Sequence, residues 1–216
     1  NGLMKRGMSV TVVHVGEWLM ERQLDKVAGG LLQRSLEERG MQFRMQAHTQ
    51  QLQADKKGRV AAVLFKDGTH VPAELVVMAV GIRPNTALAE KMHLHCERGI
   101  VVSDTLQTVT DPRIYAVGEC AAHRGIAYGL VAPLFEQGKV LANHLAEFGI
   151  GRYTGSLTST KLKVTGIDLF SAGDFMGSDD GTTEEIVLSD PHEGVYKKLV
   201  IRNDQLVGAC LYGDTV

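Results

Sequence analysis

Apolar residues recur along the chain with two different periods, which predict alternating strands and helices. Residues 8–15 and 75–80 are continuous β-branched or apolar runs, as is typical of strands buried in a parallel sheet. Residues 21–39 carry Leu, Val and Ala at helical spacing, and residues 134–148 repeat that pattern. Strands and helices in this alternation predict an α/β fold with Rossmann-type domains.

The remaining apolar runs are shorter and predict antiparallel structure. Residues 41–47 suit a short strand, and residues 50–65 suit a hairpin turning at 55–58. Beyond a Gly-, Ser- and Thr-rich linker, five short strands predict an α+β C-terminal domain with an antiparallel meander, at residues 161–164, 169–175, 185–188, 195–201 and 206–211. We therefore predict three parts, with bounds 1–84, 85–152 and 153–216.

Composition excludes several classes of function. The formal net charge is −2 and no basic stripe runs along the chain, so nucleic acid is not an expected partner. No apolar run approaches the ~20 residues that a membrane-spanning helix needs. The three cysteines, at positions 96, 120 and 210, are scattered and include no C-x-x-C pair. Cys96, Cys120 and Cys210 therefore suit reduced thiols in a cytosolic protein.

Candidate chemistry concentrates in residues 110–120. A turn at 111–112 leads into a short apolar strand, 114–117, with Gly118 at its carboxyl end and Glu119 next to it. Ligands of open α/β sheets bind outside such strand ends. There a glycine lets the ligand come close to the backbone, and a carboxylate accepts hydrogen bonds from ligand hydroxyls. The helix that follows opens near Val131 and Ala132, whose free N–H groups favour an anionic or electron-rich ligand.

The first residues predict the second half of a βαβ unit. Residues 1–7 resemble the tail of a helix ended by Gly7, and the strand at 8–15 follows. The preceding half would carry the G-x-G-x-x-G turn that cradles a dinucleotide pyrophosphate, so we expect the chain to be a piece of a longer protein. In such units an acidic residue at the end of this strand binds the adenosine ribose, but His14 stands there, with Glu17 close by.

Three motifs in order resemble a known family. Residues 111–120, Asp-Pro-Arg-Ile-Tyr-Ala-Val-Gly-Glu-Cys, resemble the second flavin fingerprint of the FAD-dependent pyridine-nucleotide oxidoreductases. Together with Gly-Ile-Arg-Pro at 81–84 and Ser-Thr-Lys-Leu-Lys at 159–163, they resemble the large subunit of the assimilatory NAD(P)H-dependent nitrite reductases. The resemblance extends over essentially the whole chain.

The resemblance implies an electron-entry function. NAD(P)H would give a hydride to FAD, and electrons would continue to iron–sulfur and sirohaem centres outside this chain, where nitrite becomes ammonium. We expect FAD to be bound by Gly118, Glu119, Val131 and Ala132, and NAD(P)H by His14, Glu17 and Gly81. No side chain need act as an acid or base, because hydride transfer depends on the stacking of the two cofactors. The family usually has Glu where His14 stands, so the choice between NADH and NADPH stays open.

The resemblance also sets expectations about partners. These are the remaining domains of the parent enzyme or a small subunit, in a homo-oligomer located in the cytoplasm, without nucleic acid or membrane. No metal site is expected, because His93, His95 and Cys96 lack the paired spacing of a closed site.

Two alternative functions stay open. One is a flavoenzyme like the ferredoxin or rubredoxin reductases or NADH oxidases, and the other is a structural or interaction piece inactive alone.

Overall fold

The computed structural model describes residues 2–164 and 166–215. Within them the chain forms two compact units. One contains the residues up to Met78 and those from Ser159 onward, and the other is Ala79–Thr158. Before residue 150, helices alternate with short parallel strands, and a small antiparallel sheet is inserted at residues 49–72. A larger antiparallel sheet follows. The predicted fold class is confirmed, whereas the division at residues 84 and 152 stays a prediction.

The first unit opens with a β-α-β crossover. After a short 3-10 turn (Met4–Arg6), strands β1 (Thr11–Val13) and β2 (Gln42–Arg44) pair in parallel. Helix α1 (Lys26–Glu38) connects them, as parallel neighbours require. This is the Rossmann-type half-unit that the hydrophobic pattern predicted.

Helix α1 begins five residues later than the predicted position 21. The side chain of Asp25 accepts the Ala28 N–H at 2.9 Å, which makes Asp25 the N-cap and confines the preceding residues to turns. The apolar stripe then faces inward and packs on the C-terminal sheet. This core contains Leu19, Leu24, Ala28, Leu32, Leu36, Ile167, Leu169, Tyr196, Cys210 and Tyr212.

Two antiparallel sheets complete the first unit. The predicted hairpin is confirmed in the three-stranded sheet of β3 (Thr49–Ala54), β4 (Val60–Phe65) and β5 (His70–Pro72). The predicted meander is confirmed as a five-stranded sheet of order β10-β11-β12-β9-β8. Its strands are β8 (Ser159–Val164), β9 (Ile167–Gly173), β10 (Glu184–Asp190), β11 (Val195–Arg202) and β12 (Gln205–Gly213).

The second unit places a parallel strand pair beside one long helix. It contains α2 (Ala87–Lys91), strands β6 (Ile100–Val102) and β7 (Ala121–His123), and α3 (Val131–Leu145). The residues of its core are Val102, Leu106, Ala116, Ala121, Tyr128 and Tyr153.

Two predicted strands are absent from the described residues. The run 75–80 is not a strand, because no described strand pairs with it. Its side chains are largely exposed, by 68% at Val77 and 90% at Val80. Residues 114–117 form only one isolated bridge, between Gln107 and Tyr115. The nearest strand after them is β7, which begins four residues later. Apolar composition predicts the propensity to form a strand, but pairing requires a neighbour.

The buried face of α3 also differs from the predicted one. Leu134 and Leu141 are half-buried as expected, whereas Ala142 and Leu145 are exposed. The most deeply buried position of the helix is Gln137, which is 0% exposed. A polar residue therefore occupies the centre of the packed face.

Candidate functional site

The turn before Gly118 is held by a local ion pair. The Asp111 carboxylate accepts hydrogen bonds from the backbone N–H of Arg113 at 2.9 Å and from two nitrogens of its guanidinium group, Nε at 3.0 Å and Nη2 at 2.7 Å. The Arg113 side-chain bonds, with that N–H, lower the pKa of Asp111 to about 2. The carboxylate therefore stays ionised and keeps the turn closed at neutral pH.

Gly118 combines an unusual backbone conformation with open space. Its φ is 98°, in the region that favours glycine, and a Cβ built on it would meet no atom within 4 Å. Its N–H donates to Oε1 of Gln137 at 3.0 Å. The glycine is thus held from one side by a buried side chain and is open on the other.

The buried side chain of Gln137 also acts on Tyr153. Its Nε2 makes no hydrogen bond of normal length among the described residues, but the side chain interacts with the Tyr153 hydroxyl and opposes the rise in pKa that burial causes there. Gln137 therefore links the Gly118 turn to the core of this unit. Sequence reasoning did not select Gln137. The available signal was a polar residue within the buried stripe of a helix.

Glu119 is exposed, and the described residues offer its carboxylate neither a hydrogen bond nor an ion pair. An ionised carboxylate accepts several hydrogen bonds. Glu119 is therefore available to accept hydrogen bonds from ligand hydroxyls beside the Gly118 turn.

The amino terminus of α3 is open. Leu130 is its N-cap and makes no side-chain capping bond, and Val131 and Ala132 are both exposed. The first N–H groups of a helix lack intrahelical acceptors and carry a partial positive charge. A Cβ on Gly129 would lie 3.0 Å from Ile82 Cδ1, which places the positive-φ turn at Gly81 near this helix end.

A polar cluster around the buried His123 lies in the same unit. His123 is 1% exposed, with its Nε2 2.8 Å from Oδ1 of Asp104, and the Arg124 guanidinium binds the same carboxylate at 2.8 and 3.1 Å. The His123 ring also packs against Tyr153, with 4.8 Å between the ring centroids. Nε2 of His123 is therefore already bound to a carboxylate of the protein.

This cluster predicts an acid-sensitive contribution to stability. Hydrogen bonds from Arg124 and then His123 lower the pKa of Asp104 to about 2, against ~3.9 for an unfolded aspartate. Because the folded-state pKa is the lower one, the contribution is complete above about pH 4 and disappears as the pH falls through about 2. We expect Asp104→Asn to flatten the pH dependence of the unfolding free energy between pH 4 and 2, measured by urea denaturation. An unchanged slope would contradict this assignment.

His14 and Glu17 lie in the first unit, at the carboxyl end of β1. The His14 N–H donates to the Arg44 carbonyl at 2.9 Å, whereas its Nε2 is buried and has no partner among the described residues. A Cβ on Gly16 would lie 2.7 Å from that Nε2 and 2.1 Å from Oε2 of Glu21, so a larger residue there would displace both side chains. Glu17 pairs with Lys26 and remains half exposed.

The predicted residues fall into two groups. Gly81, Gly118, Glu119, Val131 and Ala132 belong to the second unit, and His14 and Glu17 to the first. No set of three or more His, Cys, Asp or Glu side chains in residues 2–164 and 166–215 is arranged to hold a metal ion. No helix in that part of the chain is long and apolar enough to cross a membrane.

Two stretches of the chain match known protein families. Residues 2–141 match the pyridine nucleotide-disulphide oxidoreductases, and residues 159–216 match the rubredoxin NAD+ reductase C-terminal domain. A persulfide reductase from A. fulgidus, described as NAD-dependent, shares the fold. Its TM-score is 0.83 at 22% identity, over 98% of this chain and 42% of that one.

Curated relatives confirm the resemblance to nitrite reductases. The nitrite reductase [NAD(P)H] of Bacillus subtilis is 53% identical over 99% of this chain and 26% of its own length. The assimilatory nitrate reductase electron transfer subunit of the same organism is 45% identical over 99% and 27%. This chain spans about a quarter of those relatives. Because the first family model covers more than half of its residues, the chain belongs to the pyridine nucleotide-disulphide oxidoreductase family.

Proposed function

We propose that this chain is the electron-entry portion of an NAD(P)H-dependent nitrite reductase. The observation that carries the proposal is the Gly118 turn, which is open on one side and held on the other by the buried side chain of Gln137. The 53% identity to the nitrite reductase of Bacillus subtilis supports this choice of parent enzyme. When bound, FAD would accept a hydride from NAD(P)H and pass electrons on to iron–sulfur and sirohaem centres elsewhere in the parent.

The residues of the second unit suit a flavin. The Gly118 backbone admits close approach, and Glu119 accepts hydrogen bonds from the hydroxyls of the ribityl chain. The N–H groups at Val131 and Ala132 stabilise negative charge on the ring, an effect of typically ~0.3–1 kcal/mol. No described side chain is assigned the role of acid or base, since binding and orientation are sufficient for hydride transfer.

The strand end in the first unit suits a nicotinamide nucleotide. His14 offers an unpaired buried ring nitrogen, and Glu17 offers a carboxylate for a ribose hydroxyl. In the second unit, the Gly81 turn is assigned separately to close backbone approach to the nicotinamide. We assign residues 1–84 to NAD(P)H, 85–152 to FAD, and 153–216 to a C-terminal domain that contacts partners. Those partners are the remaining domains of a cytoplasmic parent enzyme or its small subunit, in a homo-oligomer.

A second candidate function is favoured by the C-terminal domain. Its match to the rubredoxin NAD+ reductase C-terminal domain suits a reductase that passes electrons to a small redox protein. In that case the cofactor residues keep their roles, and only the acceptor changes.

The proposal is tested by cofactor titration of the purified chain. We expect added FAD to bind, and one nicotinamide nucleotide to bleach its visible absorption under nitrogen. Glu119→Gln, which keeps the size of the side chain but removes its charge, is the matched variant and is expected to bind FAD more weakly. Failure of the unmodified chain to bind FAD would reject flavin chemistry for it and favour a purely structural role.

A further inference from the structure

The loop between β1 and α1, residues 14–25, is anchored by a residue far away in the sequence. Asp25, at the end of this loop, is 7% exposed and caps α1 through Oδ1. Its Oδ2 accepts a hydrogen bond from the Tyr196 hydroxyl at 2.6 Å. Tyr196 lies on β11 of the C-terminal sheet and is 3% exposed, so the bond is shielded from water.

A second set of contacts folds the loop over the helix. The Trp18 indole N–H donates to the Leu24 carbonyl at 2.9 Å, inside the loop. A Cβ on Gly29 would lie 2.5 Å from Trp18 Cδ1 and 2.8 Å from the Leu19 carbonyl oxygen. The loop is therefore in close contact with the first turn of α1, and its position depends on where that turn is held.

The charge around Asp25 is balanced within the C-terminal sheet. Lys198, also on β11, places its Nζ 3.9 Å from Oδ2 of Asp25 and 2.7 Å from Oε1 of Glu185. The same ammonium donates to the Met176 carbonyl at 3.1 Å. Burial raises the pKa of Tyr196, with Asp25 adding to the effect, so the hydroxyl remains a donor throughout the neutral range.

We propose that Tyr196 is a positioning residue for the nucleotide loop. Through Asp25, the C-terminal sheet holds residues 14–25, so that His14 and Glu17 are fixed where the adenosine end of NAD(P)H binds. The inference rests on the proposed function, because it assumes that this loop binds the nucleotide. It makes the C-terminal sheet part of the nucleotide site.

Trp18 allows the loop to be observed directly, because it is the only tryptophan in the sequence. In Tyr196→Phe, Asp25 loses a buried hydrogen bond while the ring is retained. We expect red-shifted Trp18 emission and stronger acrylamide quenching before any nucleotide is added. In the FAD-loaded chain we expect about tenfold weaker binding of NADH or NADPH, with the affinity for FAD unchanged.

Tyr212→Phe is the matched control. Tyr212 is equally buried in the same core, but its hydroxyl donates to the Leu31 carbonyl of α1 at 3.3 Å, away from the loop. We expect this variant to keep the emission and the nucleotide affinity of the unmodified chain. If Tyr196→Phe does not fold, Asp25→Ser, which keeps a good N-cap residue but has no second polar atom to bond Tyr196, is expected to change both signals in the same direction.

The outcomes separate the two proposals. Unchanged emission and nucleotide affinity in Tyr196→Phe, or equal changes in Tyr212→Phe, would overturn the role of Tyr196. If the unmodified FAD-loaded chain binds neither NADH nor NADPH, the proposed function and the nucleotide role both fail. A red shift confined to Tyr196→Phe would then still show that Tyr196 holds the loop.

Discussion

Replacing Gln137 by leucine is expected to destabilise the chain and to weaken FAD binding together. Leucine fills a similar volume but has no acceptor, so the Gly118 N–H loses the bond that it now makes at 3.0 Å. An unsatisfied buried donor costs about 1–3 kcal/mol. The turn that presents Glu119 would also lose its support from α3. Urea denaturation and FAD titration should both register the change.

Asn143→Leu provides the matched control for this prediction. Asn143 is an exposed amide on the same helix, and its side chain makes no hydrogen bond within the described residues. We expect its unfolding free energy and FAD affinity to stay close to those of the unmodified chain. Gln137→Glu keeps an oxygen acceptor for Gly118 but replaces the Nε2 donor with a second acidic oxygen in a fully buried site, so it tests the loss of the donor and the burial of a carboxyl group together. Equal behaviour of the two leucine variants would refute a role for Gln137.

Two adjacent glycines of α1 are expected to respond to alanine with opposite signs. Alanine in a helix is usually favoured over glycine by about 0.8–1.0 kcal/mol. Gly30 is exposed and a Cβ there meets nothing within 4 Å, so Gly30→Ala should stabilise the chain by roughly that amount. Gly29 is buried under Trp18 and the Leu19 carbonyl, where overpacking costs about 1–3 kcal/mol. Gly29→Ala should therefore destabilise it.

The comparison of these two variants needs only thermal or urea unfolding and Trp18 fluorescence. Gly29→Ala should lower the unfolding midpoint and shift Trp18 emission to the red, because the backbone carbonyl of Leu19 cannot yield as a flexible side chain would. Gly30→Ala should raise the midpoint without a spectral change. Stabilisation by both alanines would mean that the loop does not pack on α1 as described.

Much of the fold was predictable from local patterns. The stripe of α1, the hairpin around Asp55 and the five strands of the meander all follow from residue periodicity and turn chemistry. The start of α1 was predicted too early, because the capping role of Asp25 depends on its contact with the Ala28 N–H. The predicted fingerprint turn was found, but its strand was displaced to β7.

The candidate site was predictable only in part. Glycines and carboxylates in a recognisable spacing identified Gly118 and Glu119, because those residue types suit a ligand contact wherever the chain folds. Gln137 was missed, since a glutamine in a helix is ordinarily exposed and only packing shows that it is buried. Tyr196 was missed for a different reason, because its partner Asp25 is 171 residues away.

By itself the sequence determined the alternation of strands and helices, the antiparallel C-terminal part and the family resemblance. These depend on local periodicity and short motifs, which do not require knowledge of neighbours. Only the tertiary structure decided that residues 75–80 are exposed, that Gln137 holds Gly118, and that Tyr196 anchors the loop of His14 and Glu17. Burial and hydrogen bonding are properties of pairs distant in sequence, and only the folded chain brings such pairs together.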